Sequence, residues 1–186
     1  MSDGFFKWSD EQINELHTTV LDPGFWWSRR FEYPWALSAL SSKDVILDAA
    51  CGTYHPFKFS AGGICKVHAC DVDSVLPDER YEFTHASITA LPYQDKTFTK
   101  VFCISVLEHL VLSDITQAAK EFKRVLKPNG KLYLTVDYPT CDLPGLYQVL
   151  KDAGFKVGAI GEDMEGAVSS TYFGRELYCY HLVATA

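Results

Sequence analysis

Apolar positions along this 186-residue chain follow two rhythms. Short, continuously apolar runs fill "DVILDAA" (44–50), "CKVHACDV" (65–72), "KVFCISV" (100–106), "KLYLTVDY" (131–138), "FKVGAIG" (155–161) and "ELYCYHLVAT" (176–185). Runs of that length without polar alternation suit strands buried on both faces. Between them the spacing turns helical. In "SDITQAAKEFKRVLKPNG" (113–130) Ser113 is placed to cap, Ala118, Phe122 and Val125 form a buried stripe, and Pro128-Asn129-Gly130 is a stop. "LPGLYQVLKDAGF" (143–155) reads as a second helix closed by Gly154. Upstream, residues 9–21 carry Ile13, Leu16 and Val20 behind early acids, which predicts a capped amphipathic helix broken at Asp22-Pro23-Gly24. "FWWSRRFEYPWALSAL" (25–40) follows as an aromatic-rich helical segment, with an interruption expected near Pro34.

Strands alternating with helices imply an α/β fold, a doubly wound, mostly parallel sheet with helices on both faces. One domain over 1–186 is expected, residues 1–42 forming a helical N-terminal extension or lid and 43–186 the α/β core. Ligands of such sheets bind beyond the carboxyl ends of the strands, where the topology switches. That directs attention to the loops after Leu47, Cys70, Phe83, Ile104 and Val136.

Composition narrows the partners. A formal charge of −7 argues against a surface that tracks phosphates, so no nucleic acid is expected. No run approaches ~18 uninterrupted apolar residues, and the first residues lack a basic stretch followed by an apolar core. The expected location is therefore cytoplasmic. Cysteines 51, 65, 70, 103, 141 and 179 form no Cys-x-x-Cys pair and sit mostly in apolar runs, which reads as reduced core residues and no metal.

The stretch "VILDAACGTYHPF" (45–57) ends a strand in an acid and a loop with a single glycine. A dinucleotide site needs glycines at three positions so that bare backbone meets the pyrophosphate. Tyr54, His55 and Pro56 occupy that space here, so NAD or FAD is disfavoured. S-adenosylmethionine, which carries no phosphate, asks instead for an acid near its ammonium and N–H groups near its carboxylate. Asp48 and the Cys51-Gly52 turn can supply them, and Asp71, nineteen residues past Gly52, can grip a ribose.

With those residues in view the chain resembles the class I S-adenosylmethionine-dependent methyltransferases of the small-molecule and glycan-precursor type. "VILDAACGTYHPF", "VHACDVD", "HASITALPYQDKTFTKVFCISVLEHL" and "VLKPNGKLYLTVDYP" carry the resemblance, in order. It implies a Rossmann-like sheet with an antiparallel last strand, S-adenosyl-L-methionine as cofactor and S-adenosyl-L-homocysteine as product. By position, Asp48, Ala50, Cys51, Gly52 and Tyr54 form the loop under the methionine portion, and Asp71 holds the ribose. Val72 packs on the adenine, Ser87 and Ile88 read its edge, Ile104 and Ser105 flank the sulfonium, and Arg30 and Tyr33 reach the tail carboxylate. The family pattern prefers glycine at positions 50 and 54 and acids at 87 and 99, where this chain has Ala50, Tyr54, Ser87 and Thr99.

Methyl transfer needs no protonated leaving group, so a base is required only if the acceptor must lose a proton. His109, His55 and Tyr138 are candidates, with Asp137 beside them, and none is a firm catalytic assignment. Phe5, Phe6, Trp8, Trp26, Trp27 and Trp35 can form a lid or simply pack. The implied activity is methyl transfer to a small-molecule or saccharide-linked acceptor, by a monomer or homodimer. The alternatives are a silent cofactor- or partner-binding module of the same fold and, less favoured, an NAD-dependent oxidoreductase.

Overall fold

The computed structural model describes residues 3–8, 27–172 and 174–186. Among them, eight strands form one sheet: β1 Gly4–Phe5, β2 Val45–Ala49, β3 Lys66–Asp71, β4 Glu82–His85, β5 Phe98–Ile104, β6 Leu126–Tyr138, β7 Ser169–Tyr172 and β8 Arg175–Thr185. Four helices cover it: α1 Arg29–Ser38, α2 Phe57–Gly62, α3 Leu112–Val125 and α4 Leu143–Asp152. The spatial order is β1-β8-β6-β5-β2-β3-β4, with β7 also on β8. β2 to β6 run parallel, whereas β8 is antiparallel to β6, β1 and β7. Strand order reverses between β2 and β5, and the loops leaving those strands open the crevice where ligands bind in such sheets.

The two faces explain the unbroken apolar runs. Leu47, Ala49, Val101, Cys103, Leu132 and Leu134 point to one core, filled from α3 by Ala118 and Phe122 and from α4 by Leu146 and Leu150. Ile46, Val67, Ala69, Phe102 and Cys179 point to the other, filled from α1 by Phe31, Tyr33 and Trp35 and from α2 by Phe57 and Ala61. Alternate residues of each strand thus meet opposite helix layers, and both must be apolar. Truncating a side chain as enclosed as Phe122 is worth about 3–5 kcal/mol.

Four local expectations change. The third helix begins at Leu112 with no side-chain cap, so Ser113 lies inside its first turn. α1 runs through Pro34, whose missing N–H leaves the Arg30 carbonyl without its intrahelical donor but does not end the helix. β4 and β7 fall outside the six runs named above. Residues 155–161 make only an isolated bridge, Lys156 to Thr185. The reason is competition for one edge: β1 pairs with Tyr180 and His181 of β8, the place that run would need. Gly161 is pressed there so closely that a Cβ would stand 2.4 Å from the Asp3 carbonyl.

The helix expected over 9–21, and Trp26, lie outside the described residues. Phe5 packs edge-to-face on Tyr138, Tyr178 and Tyr180, and Phe6 on Trp35. Packing accounts for these rings, while Trp8 is exposed under the Arg30 guanidinium. The six cysteines are unpaired, and five of them are buried. Among the described residues no helix is long and apolar enough to cross a membrane.

Candidate functional site

At the switch point lies a recess of about 350 Å³, partly open to solvent. β2 supplies Asp48, its following loop supplies Ala50, Cys51, Gly52 and His55, α2 supplies Phe57, and β5 with its exit supplies Ile104, Ser105 and Val106. Arg29 and Tyr33 of α1 close the remaining side.

The loop holds its shape with one glycine because its polar groups are tied down. Gly52 sits at φ 61°, and a Cβ there would meet His55 Cδ2 at 2.0 Å, so position 52 requires glycine on both counts. Its N–H donates to Asp71 Oδ2 at 2.8 Å, and Cys51 N–H donates to the Cys70 carbonyl at 3.0 Å. Tyr54 avoids the left-handed region, which falls instead on Ala50 (φ 58°) and, across the recess, on Ser105 (φ 48°). Non-glycine residues held there are strained, and such strain collects at functional sites.

Beneath the loop lies Lys58, fully buried on α2. Its ammonium donates to three loop carbonyls, those of Gly52 at 2.7 Å, His55 at 2.8 Å and Cys51 at 3.3 Å. All three donors are used, so the charge is hydrogen-bonded though out of water.

α1 is anchored by a second buried charge. Glu32 is wholly enclosed, pairs with Arg29, and accepts the hydroxyls of Ser105 (2.6 Å) and Thr135. Burial alone would raise its pKa, but Arg29 and those hydroxyls hold it below the ordinary carboxylate value. This anchor joins the helix to the ends of β5 and β6.

Two polar atoms on the recess wall have no partner among the described residues: Asp48 Oδ2 and Arg29 Nε. They are of opposite character, an acceptor and a charge-bearing donor. Burial pushes Asp48 up to about 7, with Lys58 pulling it down and Asp71 pushing it up. His55, hydrogen-bonded through Nδ1 to Tyr33 Oη at 2.7 Å, is held down at about 4 by burial and by the charges of Arg29 and Lys58. It stays neutral at physiological pH.

Of the residues singled out from sequence, Tyr33, Asp48, Ala50, Cys51, Gly52, His55, Ile104 and Ser105 converge on the recess. Asp71 reaches it through Gly52, its other oxygen accepting the Asp73 N–H at 2.9 Å. Val72 is exposed beside it, and Tyr54 is 78% exposed and does not line the recess. Ser87 bonds Thr89 at 2.8 Å, and the Ile88 side chain belongs to the core. The structure does not bring Arg30 to the recess: it lies over Trp8 and Phe31, and its neighbour Arg29 lines the wall. His109 is exposed on the turn Leu107–His109, and Tyr138 leans on Phe5 at 5.5 Å. Sequence reasoning missed Arg29, Glu32 and Lys58. The only signal was a charged pair spaced i, i+3 among aromatics, and a lysine flanked by two phenylalanines.

Residues 47–134 match the family model described as a methyltransferase domain. That match spans 88 of the 186 residues and marks the segment as similar to methyltransferase domains. The Bacillus subtilis protein YrhH, named as a methyltransferase, is 34% identical over 76 residues, covering 40% of this chain and 41% of that protein. The chain spans less than half the length of the curated relatives it matches. In fold, it is similar to the Burkholderia thailandensis 1,6-didemethyltoxoflavin-N1-methyltransferase bound to its substrate and S-adenosylhomocysteine: TM-score 0.65, 15% identity, 93% of this chain and 86% of that one. It is equally similar to the [4+2]-cyclase SpnF: TM-score 0.65, 18% identity, 100% and 86%. Class I methyltransferase architecture thus also occurs in a cyclase, and the chemistry has to be argued from the site.

Proposed function

We propose that this chain transfers a methyl group from S-adenosylmethionine to a small-molecule or saccharide-linked acceptor. The observation that carries the reading is the pair of unpartnered buried atoms, Asp48 Oδ2 and Arg29 Nε, in the wall of one recess. An amino-acid tail has an ammonium for the first and a carboxylate for the second. Asp71 spends one lone pair of each oxygen on backbone N–H groups and keeps others for two ribose hydroxyls. Val72, apolar and exposed beside it, offers a face to the adenine. Ala50, Cys51, Gly52 and Tyr54 lie along the cofactor loop, Ile104 and Ser105 on the far wall, with Tyr33 beside Arg29 and Arg30 behind. Ser87 and the main chain of Ile88 stand at the adenine edge.

The bound cofactor supplies an electrophilic methyl group on a sulfonium. The protein's part is to hold that group against the β5 exit, keep water from it, and line up the acceptor. His55, neutral and bonded to Tyr33, holds the loop side of the recess.

Calorimetry with S-adenosylmethionine, S-adenosylhomocysteine and NAD tests the cofactor. Micromolar binding of the first two with none of NAD is expected, and NAD binding alone refutes it. Asp71→Ala is expected to weaken S-adenosylhomocysteine at least tenfold, and unchanged affinity contradicts the ribose assignment. A silent binding module remains the second reading because Ala50 stands strained where the family prefers glycine. Turnover separates the two: release of S-adenosylhomocysteine with any acceptor excludes the silent module.

A further inference from the structure

Just beyond the recess wall Ile104–Ser105–Val106, the turn Leu107–His109 carries Glu108 over the end of β6. Its Oε1 accepts the backbone N–H of Asp137 at 3.1 Å. Glu108 Oε2 and Asp137 Oδ1 are both closed to solvent and have no partner among the described residues. Buried polar atoms are almost always satisfied, so two orphaned carboxyl oxygens on residues joined by a hydrogen bond call for an explanation. Both are acceptors, so what completes them is a hydrogen-bond donor.

The charges nearby identify the donor. The groups facing the pair are Glu32 and Arg29 of α1, Cys103 of β5, Cys141 in the loop after β6, and Cys179 of β8. Arg29 is already matched by Glu32, and the three thiols stay neutral, pushed up by burial. That leaves two carboxyl groups with no cation. Burial first, then their mutual repulsion and Glu32, push Glu108 up to about 8, and burial with Glu32 pushes Asp137 up to about 6. An anionic acceptor would be repelled, a neutral hydroxyl would leave the charge unmatched, and a cation would satisfy both.

We propose that Glu108 and Asp137 form the acceptor subsite and that the methyl acceptor is a basic amine. The inference rests on the methyltransferase reading above. The Glu108 carboxylate takes a proton from the bound ammonium, freeing the nitrogen lone pair. That pair forms the N–CH3 bond as the S–CH3 bond breaks, its electrons returning to sulfur, which becomes a neutral thioether. Asp137 positions the charge, and Glu108 is the catalytic base.

The test uses the intact chain saturated with S-adenosylhomocysteine and three probes that share a ring, benzylamine, benzyl alcohol and benzoate. Carboxyl-labelled glutamate NMR follows the Glu108 midpoint. Benzylamine is expected to bind at millimolar concentration and lower that midpoint by at least one pH unit, while the alcohol and the acid do neither. Glu108→Gln is expected to weaken benzylamine at least tenfold with S-adenosylhomocysteine affinity kept within threefold. Asp137→Asn gives the same reading should the first variant fold poorly. Benzoate or benzyl alcohol binding as well as the amine, an unmoved midpoint, no binding of benzylamine, or variants that hold it unchanged would each overturn the proposal. Failure of the wild-type chain to bind S-adenosylhomocysteine would instead sink the reading beneath it.

Discussion

Lys58→Met removes the ammonium under the cofactor loop while keeping the length and apolar stem of the side chain. Three carbonyls lose their donor, two of them at 2.7 and 2.8 Å. A hydrogen bond to a charged group is worth about 1.5–3 kcal/mol, so the two short ones together represent about 3–6 kcal/mol. Removing the ion also removes its desolvation penalty, several kcal/mol per buried charge. A net loss of about 2–4 kcal/mol remains, since the abandoned carbonyls must reach water by reshaping the loop. About half of that appearing as loop reorganisation on binding would weaken S-adenosylhomocysteine roughly five- to thirtyfold. The thermal midpoint would fall by about 5–10 °C. Calorimetry and thermal unfolding measure the two effects separately. NMR of His55 adds a third readout, because loss of the Lys58 charge is expected to raise its midpoint above about 4. Affinity within twofold of wild type in a folded Lys58→Met variant would refute the reasoning, showing that the loop keeps its shape without the lysine.

Gly52→Ala combines a left-handed residue with a clash on the His55 ring, and is expected to lower S-adenosylhomocysteine affinity at least tenfold and break the Tyr33–His55 bond, read from the His55 midpoint by NMR. Ala50→Gly should stabilise the chain by up to about 1 kcal/mol in denaturant unfolding, where glycine ordinarily costs about 0.5–1 kcal/mol. Asp48 has a folded midpoint of about 7, and an ammonium partner would lower it, so binding below pH 7 should release a proton. Calorimetry at pH 6 in buffers of different ionisation enthalpy detects that release, and affinity should fall by up to about tenfold per pH unit below 7. For stability, Asp48 and Glu108 bind more protons folded than unfolded, favouring the fold at lower pH, up to about 7 and about 8. His55 binds fewer, so its contribution rises with pH between about 4 and 6.5 and is then complete. From pH 6.5 to 8 only the carboxyl effect remains, and the thermal midpoint of the free protein should decline across that window.

The strands that build the switch point were legible because both of their faces are buried, which leaves an unbroken apolar signature at 44–50 and 100–106. Asp48, Gly52 and Asp71 were legible from chemistry at fixed spacing after those strands. Residues 155–161 carry the same signature for another reason: Phe155, Val157 and Ile160 pack on the core while the run pairs with β8 only at Lys156. Arg29 and Glu32 were invisible because helical periodicity does not say which face of α1 meets the sheet. Arg30, one residue away, carries the same charge and points elsewhere. Thr99 shows the converse. Its hydroxyl donates to Asp44 Oδ1 at 2.8 Å, so an acid at that position would have met a second carboxylate.

The outer edge of β8 is covered piecemeal, by β7 over Arg175–Tyr178, by β1 at Tyr180 and His181, and by Lys156 at Thr185. The residues of β1 therefore find their seat only on a strand more than 160 positions further along the chain. Joining segments so far apart closes a very long loop, which costs more chain entropy than pairing neighbouring strands. That seam therefore carries the largest sequence separation in the sheet, and it depends on β1 and β8 together.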